Sequence, residues 1–120
     1  MKSIRIINLT TKKTIFEKAL LTTTFKDRFW GLMFKKLPLR FDALVIDRCD
    51  AVHTFFMRFD IDLIFLNRDK VVIAVEKRLS PFKVSRFVSG AYFVIEVVSN
   101  NDIEKDFSAG DVIEFEDNRL

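Results

Sequence analysis

Two runs in this chain are apolar on both alternating faces, Ile61 to Leu66 and Tyr92 to Val98. Successive side chains of an extended strand point to opposite sides. Ile61, Leu63 and Phe65 therefore share one face, and Ile64 and Leu66 the other. In the second run Tyr92, Val94 and Val98 oppose Phe93, Ile95 and Val97. Strands of this kind must be covered on both sides, which excludes a flat sheet with one wet face. The sheet must close, curve strongly or pack on a second layer. Each run also carries one carboxylate. Asp62 falls on the side of Ile64 and Leu66, and Glu96 on the side of Val94 and Val98. A carboxylate on a covered face has to be paired, hydrogen-bonded or protonated. Both residues are therefore either structural acids or pocket acids with displaced pKa values.

The remaining segments read mostly as strands: Ser3 to Leu9, Thr14 to Thr24, Phe41 to Arg48, Val52 to Met57, Val71 to Glu76 and Val112 to Phe115. Asn67 to Lys70 suits a hairpin connection. Thr24-Phe25-Lys26-Asp27 fits a capping pattern in which the threonine hydroxyl satisfies a free helix N–H. The spacing of Phe25, Phe29, Leu32 and Met33 predicts a helix from Lys26 to about Phe34, with Pro38 stopping any continuation. Asn100 or Asn101 could cap one more helical turn ending near Phe107. The expected fold is α+β, mainly β: a barrel-like or strongly curved sheet with one or two short helices.

At 120 residues one domain spanning 1–120 is expected, large enough for its own core. One cysteine, Cys49, allows no intrachain disulfide, and with one histidine, His53, the chain builds no Cys- or His-rich metal centre. No metal site and no cofactor are expected. Residues 1–95 hold 18 Lys/Arg and 9 Asp/Glu, whereas residues 96–120 hold 2 and 8. Such a division fits ion pairing within one fold better than a uniformly basic nucleic-acid binder. The longest uncharged run, Phe87 to Ile95, is far short of the roughly 20 residues that cross a bilayer. No leader is visible. A cytoplasmic protein with no membrane partner is the expectation.

His53 is the one side chain that ordinarily titrates near neutrality. Cys49 and His53 are four residues apart, and in an extended segment they would lie about 13 Å from each other, too far to exchange a proton. Arg28 and Arg58 are each suited to clamp a carboxylate or phosphate, or to pair with Asp60, Asp62 or Glu96. Phosphate-cradling glycine loops and the nucleophile elbow are missing. Lys77, Arg78, Lys83 and Arg86 interleave with Phe82 and Phe87, a weak signal for single-stranded nucleic acid, which is not the expected partner.

Taken together the segments resemble the bacterial and archaeal family called domain of unknown function 192. The resemblance rests on Arg28-Phe29-Trp30-Gly31-Leu32-Met33, the strand Leu44-Val45-Ile46 and the signature His53-Thr54-Phe55-Phe56-Met57. Arg58-Phe59-Asp60-Ile61-Asp62-Leu63, Ala91 to Glu96 and Gly110-Asp111 complete it. Asp60 stands where the family usually has proline, and Val98-Ser99-Asn100 lacks a glycine common after the Glu strand. The resemblance implies a compact, largely β fold and supplies no activity. It also implies a shared site of Arg28, His53, Met57, Arg58, Asp62 and Glu96, the polar and sulfur-bearing members of the matching blocks.

On these grounds the expected function is binding of a small polar ligand, a sugar or a carboxylate. The arginines would orient it, Asp62 and Glu96 would accept hydrogen bonds, and Trp30, Phe55 and Phe56 would stack. The alternatives are an acid/base hydrolase or lyase using Asp62 and Glu96 with His53, and single-stranded nucleic-acid binding along Lys77 to Arg86. The ligand is expected beside His53 to Arg58, walled by the Glu96 strand and the start of the Arg28 helix.

Overall fold

The two doubly apolar runs lie side by side within one sheet. The computed structural model describes residues 1–118. In chain order it contains β1 (Lys2–Asn8), β2 (Lys13–Leu21), α1 (Phe25–Trp30), β3 (Ala43–Asp47), β4 (Ile61–Leu66), β5 (Val72–Leu79), β6 (Phe93–Val98), α2 (Ile103–Asp106) and β7 (Ile113–Asp117). The strands form one sheet in the order β5-β4-β6-β3-β2-β1-β7. All six residues of β4 are buried, as covering on both faces requires.

The sheet curves strongly but does not close into a barrel. Its two edge strands meet only at one corner, where Val71 bridges Val112. The Val72 N–H donates to the Asp111 carbonyl at 2.9 Å, and the Gly110 N–H to the Val72 carbonyl at 2.8 Å. Asn8 locks this corner. Its buried side chain donates to the Asp111 carboxylate at 2.8 Å and to the Asp106 carbonyl at 2.9 Å.

The concave side holds Ile4, Ile6, Val45, Ile64, Ile95 and Val97, with Ile103 of α2 and Phe107 as a plug. The other side is covered differently. β3 runs parallel to β2, and β3 and β4 are each antiparallel to β6. β5 is antiparallel to β4, and so runs parallel to β6. The connections β2–β3, β3–β4 and β5–β6 are therefore crossovers, each of which must pass over a face of the sheet. They supply Leu32, Val52, Met57, Phe59 and Val88 to a second core against Leu44, Ile46, Leu63, Phe65 and Val94. These connections are the second layer that two-sided burial demands.

The Thr24 hydroxyl caps α1 by accepting from the Asp27 N–H at 3.1 Å. The helix stops at Trp30, before the expected Phe34. Gly31 has φ +47° and ψ −124°, a conformation open to glycine alone, and its N–H ends the helix on the Asp27 carbonyl. The run Val52 to Met57, expected as a strand, is irregular backbone with one bridge, His53 to Val84. The acidic C-terminal segment does pair with basic residues: Arg5 with Glu116, Lys2 with Asp117 and Lys77 with Glu104. Among the described residues no helix is long and apolar enough to cross a membrane.

Candidate functional site

The three crossovers hold one another through backbone hydrogen bonds, such as Thr54 N–H to the Lys83 carbonyl and Ser85 N–H to the Val52 carbonyl, and through buried hydroxyls. Thr54 is fully buried, and its hydroxyl donates to the Ser80 carbonyl at 2.6 Å and accepts from the Lys83 N–H at 2.9 Å. The Ser85 hydroxyl accepts from the Val52 N–H at 2.8 Å. The Phe34 N–H donates to the Phe56 carbonyl, which joins the first crossover to the second. Thr54→Val keeps the shape but strands the Ser80 carbonyl and the Lys83 N–H. It is expected to cost about 2 kcal/mol in urea unfolding and to speed amide exchange across residues 80–88.

Between this layer and the sheet is a narrow cleft of about 70 Å³, lined by Phe29, Trp30, Gly31, Cys49, His53, Met57 and Glu96 among others. Glu96 forms its polar floor. The residue pairs with Leu44 on β3 and Leu63 on β4, so its side chain shares their face and points toward the crossovers. It is essentially fully buried, and its Oε2 has no hydrogen-bond partner. Burial alone pushes its pKa up to about 8, so the carboxyl is mostly protonated at neutral pH.

His53 accepts a hydrogen bond at Nδ1 from the Phe55 N–H at 3.2 Å, so the neutral ring carries its proton on Nε2. Its ring stacks on Phe55. Cys49 lines the same cleft. Burial pushes the Cys49 thiol up to about 11, and the nearby Glu96 and Asp50 charges push in the same direction. Its S–H donates to the Ala51 carbonyl at 3.0 Å. A thiol raised from 9.0 to about 11 holds about 100-fold less thiolate at a given pH. Native Cys49 is therefore expected to react with iodoacetamide about 100-fold more slowly than in the urea-unfolded chain. Equal rates would place the sulfur in solvent.

The other expected site residues lie elsewhere. Asp62 pairs with Val97 and so faces the concave side, away from Glu96. Its carboxylate accepts from the Arg78 N–H at 2.9 Å, the Ser99 hydroxyl at 2.8 Å and the Asn100 N–H at 3.3 Å. It is a closed structural acid, and the two carboxylates point to opposite faces of the sheet, where they cannot flank one bond. Arg28 is engaged with Asp47 at 3.2 Å. Arg58 is exposed and borders a separate hollow with Phe34, Phe56 and Phe82. The structure thus brings together His53, Met57 and Glu96, and leaves Arg28, Arg58 and Asp62 outside the cleft.

Cys49 and Gly31 are cleft residues that were not expected there; the i, i+4 spacing of Cys49 and His53 was the available signal. Lys77 and Arg78 of the basic stretch are engaged at the surface by Glu104 and Asn101. Among the described residues, no group of three or more His, Cys, Asp or Glu could hold a metal ion. A larger hollow of about 830 Å³ runs past Phe16, Leu37, Phe41, Asp42, Val97 and Asn100, but it is open to solvent and no unpartnered buried polar atom faces it.

Two solved structures share this fold. A candidate transcription regulator from Sinorhizobium meliloti superposes with a TM-score of 0.75 at 18% identity, over 95% of this chain and 92% of the other. A protein of unknown function from Novosphingobium aromaticivorans gives 0.75 at 15% identity, over 93% and 83%. At such identities the likeness is one of fold. No curated protein matches the sequence. The sequence profile of the family DUF192, described as Uncharacterized ACR, matches residues 6–115, nearly the whole described length, and the chain belongs to that family.

Proposed function

We propose that the chain is a binding module for a small hydroxyl-bearing ligand of the sugar class, seated at the Glu96 cleft. The observation that carries this reading is the unpartnered Oε2 of a buried carboxyl on the floor of an aromatic-walled cleft. Buried polar groups have partners in the great majority of proteins. A protonated carboxyl offers one O–H donor and an acceptor oxygen, and a hydroxyl group answers both. Of the two ligand classes expected from the sequence, the carboxylate is the less suited. Arg28 is held by Asp47, Arg58 lies outside, and an anion would meet a second acid.

A volume of about 70 Å³ takes one or two groups the size of a water, which occupies about 30 Å³. Only a hydroxyl or hydroxymethyl arm enters. The body of the ligand would rest on Phe29 and Trp30 at the wall. Titration of mono- and oligosaccharides while following backbone amide shifts tests this. Shifts at residues 29–31, 49–57 and 96, abolished by Glu96→Leu in a folded protein, are the expected result. Shifts confined to residues 37–42 and 97–100 would move the site to the open hollow and overturn the reading.

A further inference from the structure

α1 presents its aromatic residues outward. Three of its six residues, Phe25, Phe29 and Trp30, are aromatic, and none of the six is buried. Ring contacts continue across all three crossovers: Phe25 to Phe29, on to Trp30 and Phe34, then to Phe56 at 5.3 Å and to Phe82 at 5.7 Å. These six side chains are between 44% and 76% exposed. With about 200 Å² available per aromatic residue, they show roughly 600–700 Å² of contiguous apolar surface. Monomeric proteins rarely expose patches beyond a few hundred Å² unless something binds there.

The charge around the belt is one-sided. Residues 25–40, 53–58 and 80–88 carry eight Lys/Arg, of which Arg28 is paired with Asp47, and a single acid, Asp27, which is itself held by the terminal ammonium. We propose that this face docks on the surface of an anionic phospholipid bilayer, with the phenylalanines entering the acyl boundary. Trp30 would sit at headgroup level, and Lys26, Lys35, Lys36, Arg58 and Lys83 would meet the lipid phosphates.

Phenylalanine has no polar tip and partitions below the headgroups, and basic side chains around an apolar face are how interfacial segments hold anionic membranes. A second copy of the chain would bring two basic faces together, and like charges repel. Single-stranded nucleic acid needs free ring faces for its bases, whereas here Phe34 and Phe56 already stack on each other. A protein lying on the bilayer surface needs no spanning segment. The proposal does not rest on the ligand reading.

Trp30 is the sole tryptophan and reports directly. Vesicles of phosphatidylcholine with roughly one-third phosphatidylserine should sediment the protein at about 0.1 M salt, shift Trp30 emission to the blue and shield it from acrylamide. Vesicles of phosphatidylcholine alone should not. Lys35→Gln and Lys36→Gln should each weaken binding about fivefold. Phe25→Ser with Phe82→Ser should weaken it tenfold or more while leaving the circular dichroism spectrum unchanged. The proposal is overturned by no sedimentation with anionic vesicles, by equal binding to neutral ones, or by a Trp30 response to oligothymidylate in place of vesicles. Self-association abolished by the paired phenylalanine substitutions would instead assign the belt to a second copy, and would overturn it too.

Discussion

Asp62→Ala is expected to lower the unfolding free energy by about 3–4 kcal/mol, with a fall of about 14 °C in Tm. The carboxylate has no exposed surface, and it ties β4 to Arg78 at the end of β5 and to Ser99 and Asn100 just beyond β6. Alanine would leave three donors, two of them backbone N–H groups, without an acceptor. Each such loss costs about 1–3 kcal/mol, softened where water can enter from the nearby surface. Asp62→Asn should lose about half as much. Its amide oxygen can still accept from the Arg78 N–H and the Ser99 hydroxyl, but its NH₂ then confronts the Asn100 N–H, donor against donor. Urea unfolding of the three proteins under one set of conditions decides the matter. An unchanged midpoint for Asp62→Ala would remove this residue from the structural network.

The second large effect is a pH dependence at Glu96. Its pKa is about 8 in the folded chain against an ordinary 4.5. Between those values the folded protein holds a proton that the unfolded chain has released. Unfolding then liberates a proton, and rising pH favours it. The contribution is full below about pH 4.5, is lost progressively as pH climbs through about 8, and is level above. A separation of this size corresponds to about 5 kcal/mol at 1.36 kcal/mol per pKa unit. Glu96→Gln has the same shape and cannot ionise. Its stability should match that of the parent near pH 4.5 and exceed it by about 5 kcal/mol at alkaline pH. Unfolding curves collected across this range for both proteins test the claim. A constant difference would mean that the carboxyl is solvated or paired.

Both acids were visible in the sequence because each breaks an apolar alternation, and alternation alone gave the neighbours on each face. What separates them is register. Leu63, not Asp62, stands opposite Glu96, and a shift of one residue would have turned the two carboxylates to the same side. Nothing local in either strand encodes that pairing. The cap of α1 was legible for the opposite reason, since Thr24 and Asp27 are three residues apart and the bond is wholly local.

The stretch from Val52 to Met57 misleads because it is rich in β-branched and aromatic residues, as a strand would be. Val52 and Met57 face the second core, while Phe55 and Phe56 face outward and Phe56 has φ +62°. Its backbone partners lie mainly in residues 80–88, and that pairing follows from crossover topology. Cys49 and His53 both precede the turn at Phe55 and Phe56, and both line the cleft. Arg58 follows the turn outward, which is why a signature contiguous in sequence divides in space between the cleft and the surface.

The corner where β5 approaches β7, and the pairing of β1 with β7, have a consequence for the order in which the chain can assemble. β1 leaves the ribosome ahead of the other six strands and can pair with β2 at once, yet its other edge finds its partner only when residues 113–117 emerge. At about 5–20 residues per second that interval is roughly 5–20 s, long compared with the microseconds in which a hairpin forms. Throughout it, a nascent sheet carries an open edge of alternating isoleucines, Ile4 and Ile6, the kind of edge that recruits strands from neighbouring chains. Arg5, which faces the opposite side of that strand and later pairs with Glu116, places a charge on the edge while it waits.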